Sequence, residues 1–172
     1  MRFANRGQSL EKMIELSNQQ YILKNKAMVQ KIPTPVKVLN INSQTGRINN
    51  GFYEKKSTVD YVGVYNGLPL AYDAKETTIE TRFDLKNIKP HQYNFLYNWK
   101  QNGGFSFLII YFTNYSEAYL LPFAVLKNYW EKSQTGGRKS IPYDIIAKKK
   151  YKITSQGYII LDYISIIDRI IA

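Results

Sequence analysis

The spacing of apolar and polar residues changes several times along the chain, and each change predicts an element. Behind Ser9, residues Leu10, Met13, Ile14 and Ser17 recur at helical spacing, which predicts a capped helix over about 10–23. KAMVQKI at 26–32 is short and extended, and it ends at Pro33-Thr34-Pro35. VKVLNINSQTGRINNGFYEKK at 36–56 has two extended arms around a polar turn at Asn42 to Gly46. Both of its faces are too polar for a core, so a hairpin projecting from the body is expected. A second hairpin, TVDYVGVYNGLPLAYDAKET at 58–77, turns at Asn66-Gly67. Pro90 opens a helix over about 90–101, and Gly103-Gly104 stops it. FSFLIIYF at 105–112 and EAYLLPF at 117–123 read as strands, with a short helix around AVLKNYWEK at 124–132. The basic segment GGRKS at 136–140, then DIIAKKKYKI at 144–153, lead to a final helix, DYISIIDRII, at 162–171. Helices interleaved with paired strands predict an α/β domain with a mixed sheet. No repeat or linker divides it, so residues 1–172 are read as one domain.

The second hairpin carries the chemistry. Asn-Gly between extended runs calls for a two-residue type I′ turn. With Asn66 and Gly67 as the loop, Tyr65 faces Leu68, Asp60 faces Asp73 and Thr58 faces Lys75. Side chains alternate along a strand, so Thr58, Asp60, Asp73 and Lys75 share one face. Like charges directly opposed are destabilising. Such a pair must shift a pKa, gain a cation or hold a metal ion with hard oxygen ligands, Mg²⁺ foremost. A solvated face on which Lys75 bridges an acid stands as the alternative. Pro69 weakens the register, since proline suits an edge or a bulge.

Composition narrows the partner. The chain has 172 residues and 44% hydrophobic content, enough for one core. Its longest apolar run, 105–112, is too short to span a membrane, and MRFANRGQSLEKM lacks the apolar segment of a signal peptide. A cytoplasmic location is therefore expected. There is no cysteine, which removes disulfides, thiolate zinc sites and a thiol nucleophile. His91 is the single histidine, so a Ser-His-Asp triad requires it as base. Catalysis then falls to carboxylates, lysine and a hard metal ion. A net charge of +11 favours a polyanionic partner, nucleic acid before an anionic membrane.

An acid, a short hairpin and then acid-X-lysine resembles the PD-(D/E)xK nuclease superfamily. The wider series is similar to the RecU-type Holliday junction resolvases: NRGQSLE at 5–11, KIPTPV at 31–36, STVDYVGVYNG at 57–67 and DAKET at 73–77. It continues with HQ at 91–92, GRKS at 137–140 and DYISIID at 162–168. The resemblance implies a restriction-endonuclease-like mixed sheet flanked by helices, a homodimer, and Mg²⁺-dependent symmetric nicking of four-way DNA junctions, with Mn²⁺ as a substitute. It maps the metal site onto Thr58, Asp60, Asp73 and Gln92, and the transition-state-stabilising lysine onto Lys75. Asp73 stands where such resolvases usually carry glutamate, one methylene longer. An acid of the first helix often joins the site, which makes Glu11 a secondary candidate. The hairpin at 36–56 corresponds to the family's stalk, which is thought to enter the junction centre.

Phosphate contacts are expected from Arg2, Arg6, Lys37, Arg47, Lys55, Lys56, Arg138 and Lys139, with the Lys148–Lys150 run beside them. Phe52 and Tyr53 either stack on unpaired bases or pack the base of the hairpin. A duplex-cutting restriction or repair nuclease, and a non-catalytic DNA-binding protein, are the competing readings.

Overall fold

The structure is a computed structural model and describes residues 9–54 and 58–172. Helix α1 (Leu10–Leu23) starts at Ser9, whose side chain accepts from Lys12 N. Strand β1 (Met28–Lys31) follows, then the hairpin of β2 (Val36–Ile41) and β3 (Ile48–Tyr53). The next hairpin is β4 (Tyr61–Tyr65) and β5 (Leu68–Thr77). After β6 (Arg82–Asp84) come α2 (Pro90–Gln101), β7 (Phe105–Phe112), β8 (Glu117–Pro122) and α3 (Phe123–Gln134). The chain ends through β9 (Ser140–Pro142), α4 (Tyr143–Ile146), β10 (Lys152–Ile153) and α5 (Ile164–Ile171).

Six strands form one mixed sheet in the order β1-β4-β5-β7-β8-β10. Only β5 and β7 run parallel, and α2 makes the crossover that a parallel pair requires. The sheet is covered on both faces, as the restriction-endonuclease-like reading expects. One apolar cluster joins α1 and α5 to Leu70, Tyr72, Phe107, Ile109 and Leu120. The other joins α2 and α3 to Ala71, Leu108, Ile110 and Leu121. Alternation along β5 therefore sends Tyr72 to the α1 side, while Asp73 turns to the α2 side. Tyr72 stacks between Tyr61 at 4.9 Å and Phe107 at 4.6 Å between ring centroids. Cutting Phe107 back to alanine there removes about 3–5 kcal/mol.

Two sequence expectations shift. The last helix begins at Ile164 rather than Asp162, because the buried Asp162 carboxylate is taken by Tyr21 Oη (2.9 Å) and Ser165. Residues 82–84, to which the sequence assigns no element, and 140–142, at the end of the basic segment, pair as a second small sheet over the α2 side. Among the described residues, no helix is long and apolar enough to cross a membrane.

Candidate active site

The β4–β5 turn is the two-residue turn that Asn-Gly demands, with Asn66 at φ 47° and Gly67 at φ 75°. Pairing runs without a slip from Tyr65–Leu68 to Tyr61–Tyr72, and Val64 faces Pro69 inside the ladder. Pro69 does not break the register, because its position sits at the exposed end of the strand.

The ladder stops at Tyr61, yet the next step is made by a side chain. Asp60 Oδ2 accepts from Ala74 N at 2.9 Å, and its carbonyl accepts from Ile32 N at 2.8 Å. Asp60 is thus pinned to β5 on one side and to the end of β1 on the other. Asp73 lies beside it, wholly buried. Gln92, in the first turn of α2, donates Nε2 to Asp73 Oδ1 at 2.9 Å and accepts the Lys89 N–H on Oε1 at 3.0 Å. Asp73 Oδ2 forms a close ion pair with Lys75 Nζ but takes no aligned hydrogen bond from a described group.

Burial pushes the Asp73 carboxyl up to about 7, with Lys75 pulling it down and Asp60 pushing it further up. One lysine faces two acids, so Lys75 alone does not balance the charge of the pair. Two hard carboxylates suit a divalent ion that keeps most of its shell as water or phosphate oxygen, as Mg²⁺ does. Among the described residues no group of three or more Asp, Glu, His or Cys is placed to hold a metal ion.

Two expected members stand apart from that pair, and a third reaches it in a different role. Thr58 sits in an exposed bend beyond the end of the ladder, where the strand pairing assumed for it has ceased. Glu11 is exposed on α1 and ion-paired to Lys31, with Glu15 3.9 Å from the same ammonium. Gln92 reaches the site, but its amide oxygen caps α2. It acts on Asp73 through its NH₂ group, so ligation through Oε1 requires releasing the Lys89 cap. His91 is half-buried at the start of α2.

Sequence reasoning missed Glu76. It points to the opposite face from Lys75 and accepts Leu10 N at 2.6 Å, anchoring the start of α1 to β5. The signal was the uncapped N–H group of a helix start, but the partner lies 66 residues away.

The β2–β3 hairpin carries no buried residue. Its base is held where Glu54 N donates to Pro35 O at 3.0 Å, next to the Ile32–Asp60 bond. Lys37 and Arg47 are exposed on it, and so are Phe52 (50%) and Tyr53 (75%), which do not pack its base. Arg138 and Lys139 are exposed ahead of β9, Arg138 Nε donating to Ser140 Oγ at 2.9 Å. Lys148, Lys149 and Lys150 are exposed as well. Arg2, Arg6, Lys55 and Lys56 lie outside the described residues.

Comparison with known proteins adds to this geometry. The chain is 39% identical to the Holliday junction resolvase RecU of Oenococcus oeni, over 95% of this chain and 85% of that protein. It is 40% identical to the one of Limosilactobacillus reuteri, over 99% of this chain and 85% of the relative. The Staphylococcus aureus protein of the same name is 39% identical over 98% and 83%. A solved structure of Archaeoglobus fulgidus Hjc, a Holliday junction resolvase, aligns at TM-score 0.45 and 10% identity, over 77% of this chain and 90% of its own. The family model described as Recombination protein U matches residues 5–169, a span that takes in both hairpins, α2 and the whole central sheet. By that match, and by its likeness to these relatives, the chain belongs to the RecU family.

Proposed function

We propose that this protein is a metal-dependent endodeoxyribonuclease that nicks four-way DNA junctions symmetrically in recombination and repair, working in the cytoplasm as a homodimer. Residues 1–172 act as one nuclease domain, with 36–56 as its stalk. The observation that carries the reading is the acid pair, Asp60 beside the buried Asp73, with Lys75 against it. Relatives about 40% identical are named Holliday junction resolvases.

Asp60 and Asp73 hold the divalent ion, Mg²⁺ first and Mn²⁺ as a substitute. When bound, that ion polarises the scissile phosphate and lowers the pKa of a water. The protein's own groups supply the rest. Ala74 N–H fixes the rotamer of Asp60, and Gln92 Nε2 does the same for Asp73, so both carboxylates are oriented before DNA arrives. Lys75 is half-buried beside Asp73 and can turn its ammonium towards the phosphate, where negative charge builds as the water attacks. Lys37, Arg47, Arg138 and Lys139 neutralise phosphates of the arms, joined by Arg2, Arg6, Lys55 and Lys56. Phe52 and Tyr53, exposed on the stalk, are available to stack on bases at the crossover. A two-fold dimer brings two such sites to a junction of matching symmetry.

The test incubates the protein with a mobile four-way junction and with a linear duplex, each with and without Mg²⁺. Paired nicks confined to the junction and dependent on the ion are expected. Equal cutting of the duplex identifies a restriction-type nuclease instead, and binding without cleavage in Mg²⁺ or Mn²⁺ identifies a non-catalytic binder.

A further inference from the structure

The small sheet of β6 and β9 turns one face to the core and the other outward. Phe83 and Ile141, direct partners, are buried in the α2-side cluster. Strand alternation therefore places Arg82, Asp84 and Ser140 on the outer face, with Asp84 opposite Ser140. Backbone bonds extend the pairing at both ends, from Leu85 N to Lys139 O and from Tyr143 N to Thr81 O, each at 3.0 Å. Short as its strands are, this sheet is a fixed platform.

Two arginines are anchored on that opposed pair. Arg82 donates Nε to Asp84 Oδ1 at 2.8 Å, and Arg138 donates Nε to Ser140 Oγ at 2.9 Å. Each anchor takes only the Nε–H, and among the described residues the terminal amino groups of both arginines have no partner. Those groups form the planar fork that matches phosphate oxygens. The Arg82 side chain is 44% exposed and Arg138 is exposed too, whereas Ser140 is buried and Asp84 nearly so. Lys86 Nζ lies 3.8 Å from Asp84 Oδ2. Among the described residues Asp84 is the one acid ion-paired to these three cations, so the face keeps a positive excess. Residues 85–89 lead from the platform to the start of α2, where Lys89 is exposed and Gln92 holds Asp73.

We propose that Arg82 and Arg138, aimed by Asp84 and Ser140, clamp backbone phosphates of the DNA arm whose strand enters the acid pair, with Lys86 adding charge. Asp84 is then a positioning residue, an acid on a DNA-facing surface whose removal weakens the grip on DNA. A fork already held in place loses little freedom when phosphate arrives. The proposal rests on DNA as the partner in the proposed function, and it adds Arg82, Asp84, Lys86 and Ser140 to the groups that meet it.

Fluorescence anisotropy without metal, on a labelled four-way junction and a labelled linear duplex across a salt series, tests it. Circular dichroism checks that each variant is folded. R82A and R138A are each expected to weaken binding to both DNAs by about tenfold, since phosphate contacts do not read branching. The slope of log affinity against log salt should fall by about 1 in each. R82K keeps the charge without the fork and should stay within about threefold of R82A. D84A separates aim from charge. Removing an acid from a basic face tightens DNA binding if charge alone counts, whereas a clamp that needs Asp84 should weaken by about threefold or more. Tighter binding by D84A, wild-type affinity in R82K, or an unchanged affinity and slope in R82A overturns the clamp. A wild type that binds neither DNA overturns the reading of DNA as the partner as well. Nicking does not enter the measurement, so failure of the clamp and failure of the proposed catalysis are read separately.

Discussion

The hairpins β2–β3 and β4–β5 adjoin in sequence and meet at Asp60, yet they have opposite fates. β4–β5 has β1 on one flank, β7 on the other and helices above and below, and its five-pair ladder has no irregularity. Among the described residues β2–β3 has no flanking strand and no buried side chain, and it shifts register twice between Val38 and Ile41. The difference follows from what each must place. Setting two carboxylates beside one lysine tolerates no slip, because a shift by one residue turns every side chain to the other face. In the proposed function the outer hairpin meets a deformable nucleic acid, which asks for reach and exposed groups rather than register. The Ile32–Asp60 bond makes the end of one device the start of the other.

The largest effect should come from breaking the registered hairpin at its acid. Asp60→Asn is expected to lower single-turnover junction nicking by at least about 10³-fold, or roughly 4 kcal/mol at 1.36 kcal/mol per tenfold. Junction binding at low salt should survive. Normal nicking by this variant would remove β4–β5 from the chemistry altogether.

A second effect is read without any substrate. Burial raises the Asp73 carboxyl to about 7 in the folded protein, above its ordinary value of 3.8. The folded state therefore binds the extra proton more tightly than the unfolded chain. The stabilisation is full below about pH 4 and is lost as pH rises through about 7. Metal-free wild type should lose stability over that window by an amount on the order of a few kcal/mol, relative to Asp73→Asn, which keeps no such proton. Mg²⁺ at pH 8 should raise the melting temperature of wild type and leave that of the variant unchanged. Parallel pH profiles for the two proteins would show that Asp73 is not the strained member of the pair.

The sequence made the registered hairpin legible because Asn-Gly and strand alternation are local rules. Long-range partners were not legible. Nothing near Gln92 announces that its amide oxygen is engaged by Lys89 N, and nothing near Glu11 points to Lys31, 20 residues on. Thr58 was assigned by extending a ladder that ends three residues earlier, where Asp60 substitutes a side chain for a strand. Strands of three residues such as β6 and β9 have no period to detect, and they form only because the core beneath them accepts Phe83 and Ile141. For Phe52 and Tyr53 two outcomes were open, and only the packing decides that they face solvent.

The exposed hairpin sharpens the comparison from the other side. Replacing 36–53 with a short glycine-serine turn should change global stability by less than about 1 kcal/mol, since no side chain is uncovered. Preference for a junction over a duplex should fall by about tenfold or more, roughly 1.4 kcal/mol. Competition binding with labelled junction and unlabelled duplex measures it. A truncated protein that still favours the junction as strongly would move recognition to the body of the domain.

The smallest effect is the most direct comparison, because one substitution can be made in both turns. Gly67 has φ 75° and Gly46 has φ 68°, and a Cβ added at either meets nothing within 4 Å. Only the backbone conformation is penalised, by about 1 kcal/mol in each case. Gly67 lies in a turn whose strands belong to the cooperative sheet, so Gly67→Ala should lower the global melting temperature by a few degrees. Gly46 lies in a turn whose strands can open without exposing any core, so its penalty is absorbed by local opening. Gly46→Ala should leave the global melt unchanged and accelerate amide exchange only in β2 and β3. Equal shifts of the two melting curves would mean that the outer hairpin folds as part of the core, against the division drawn between them.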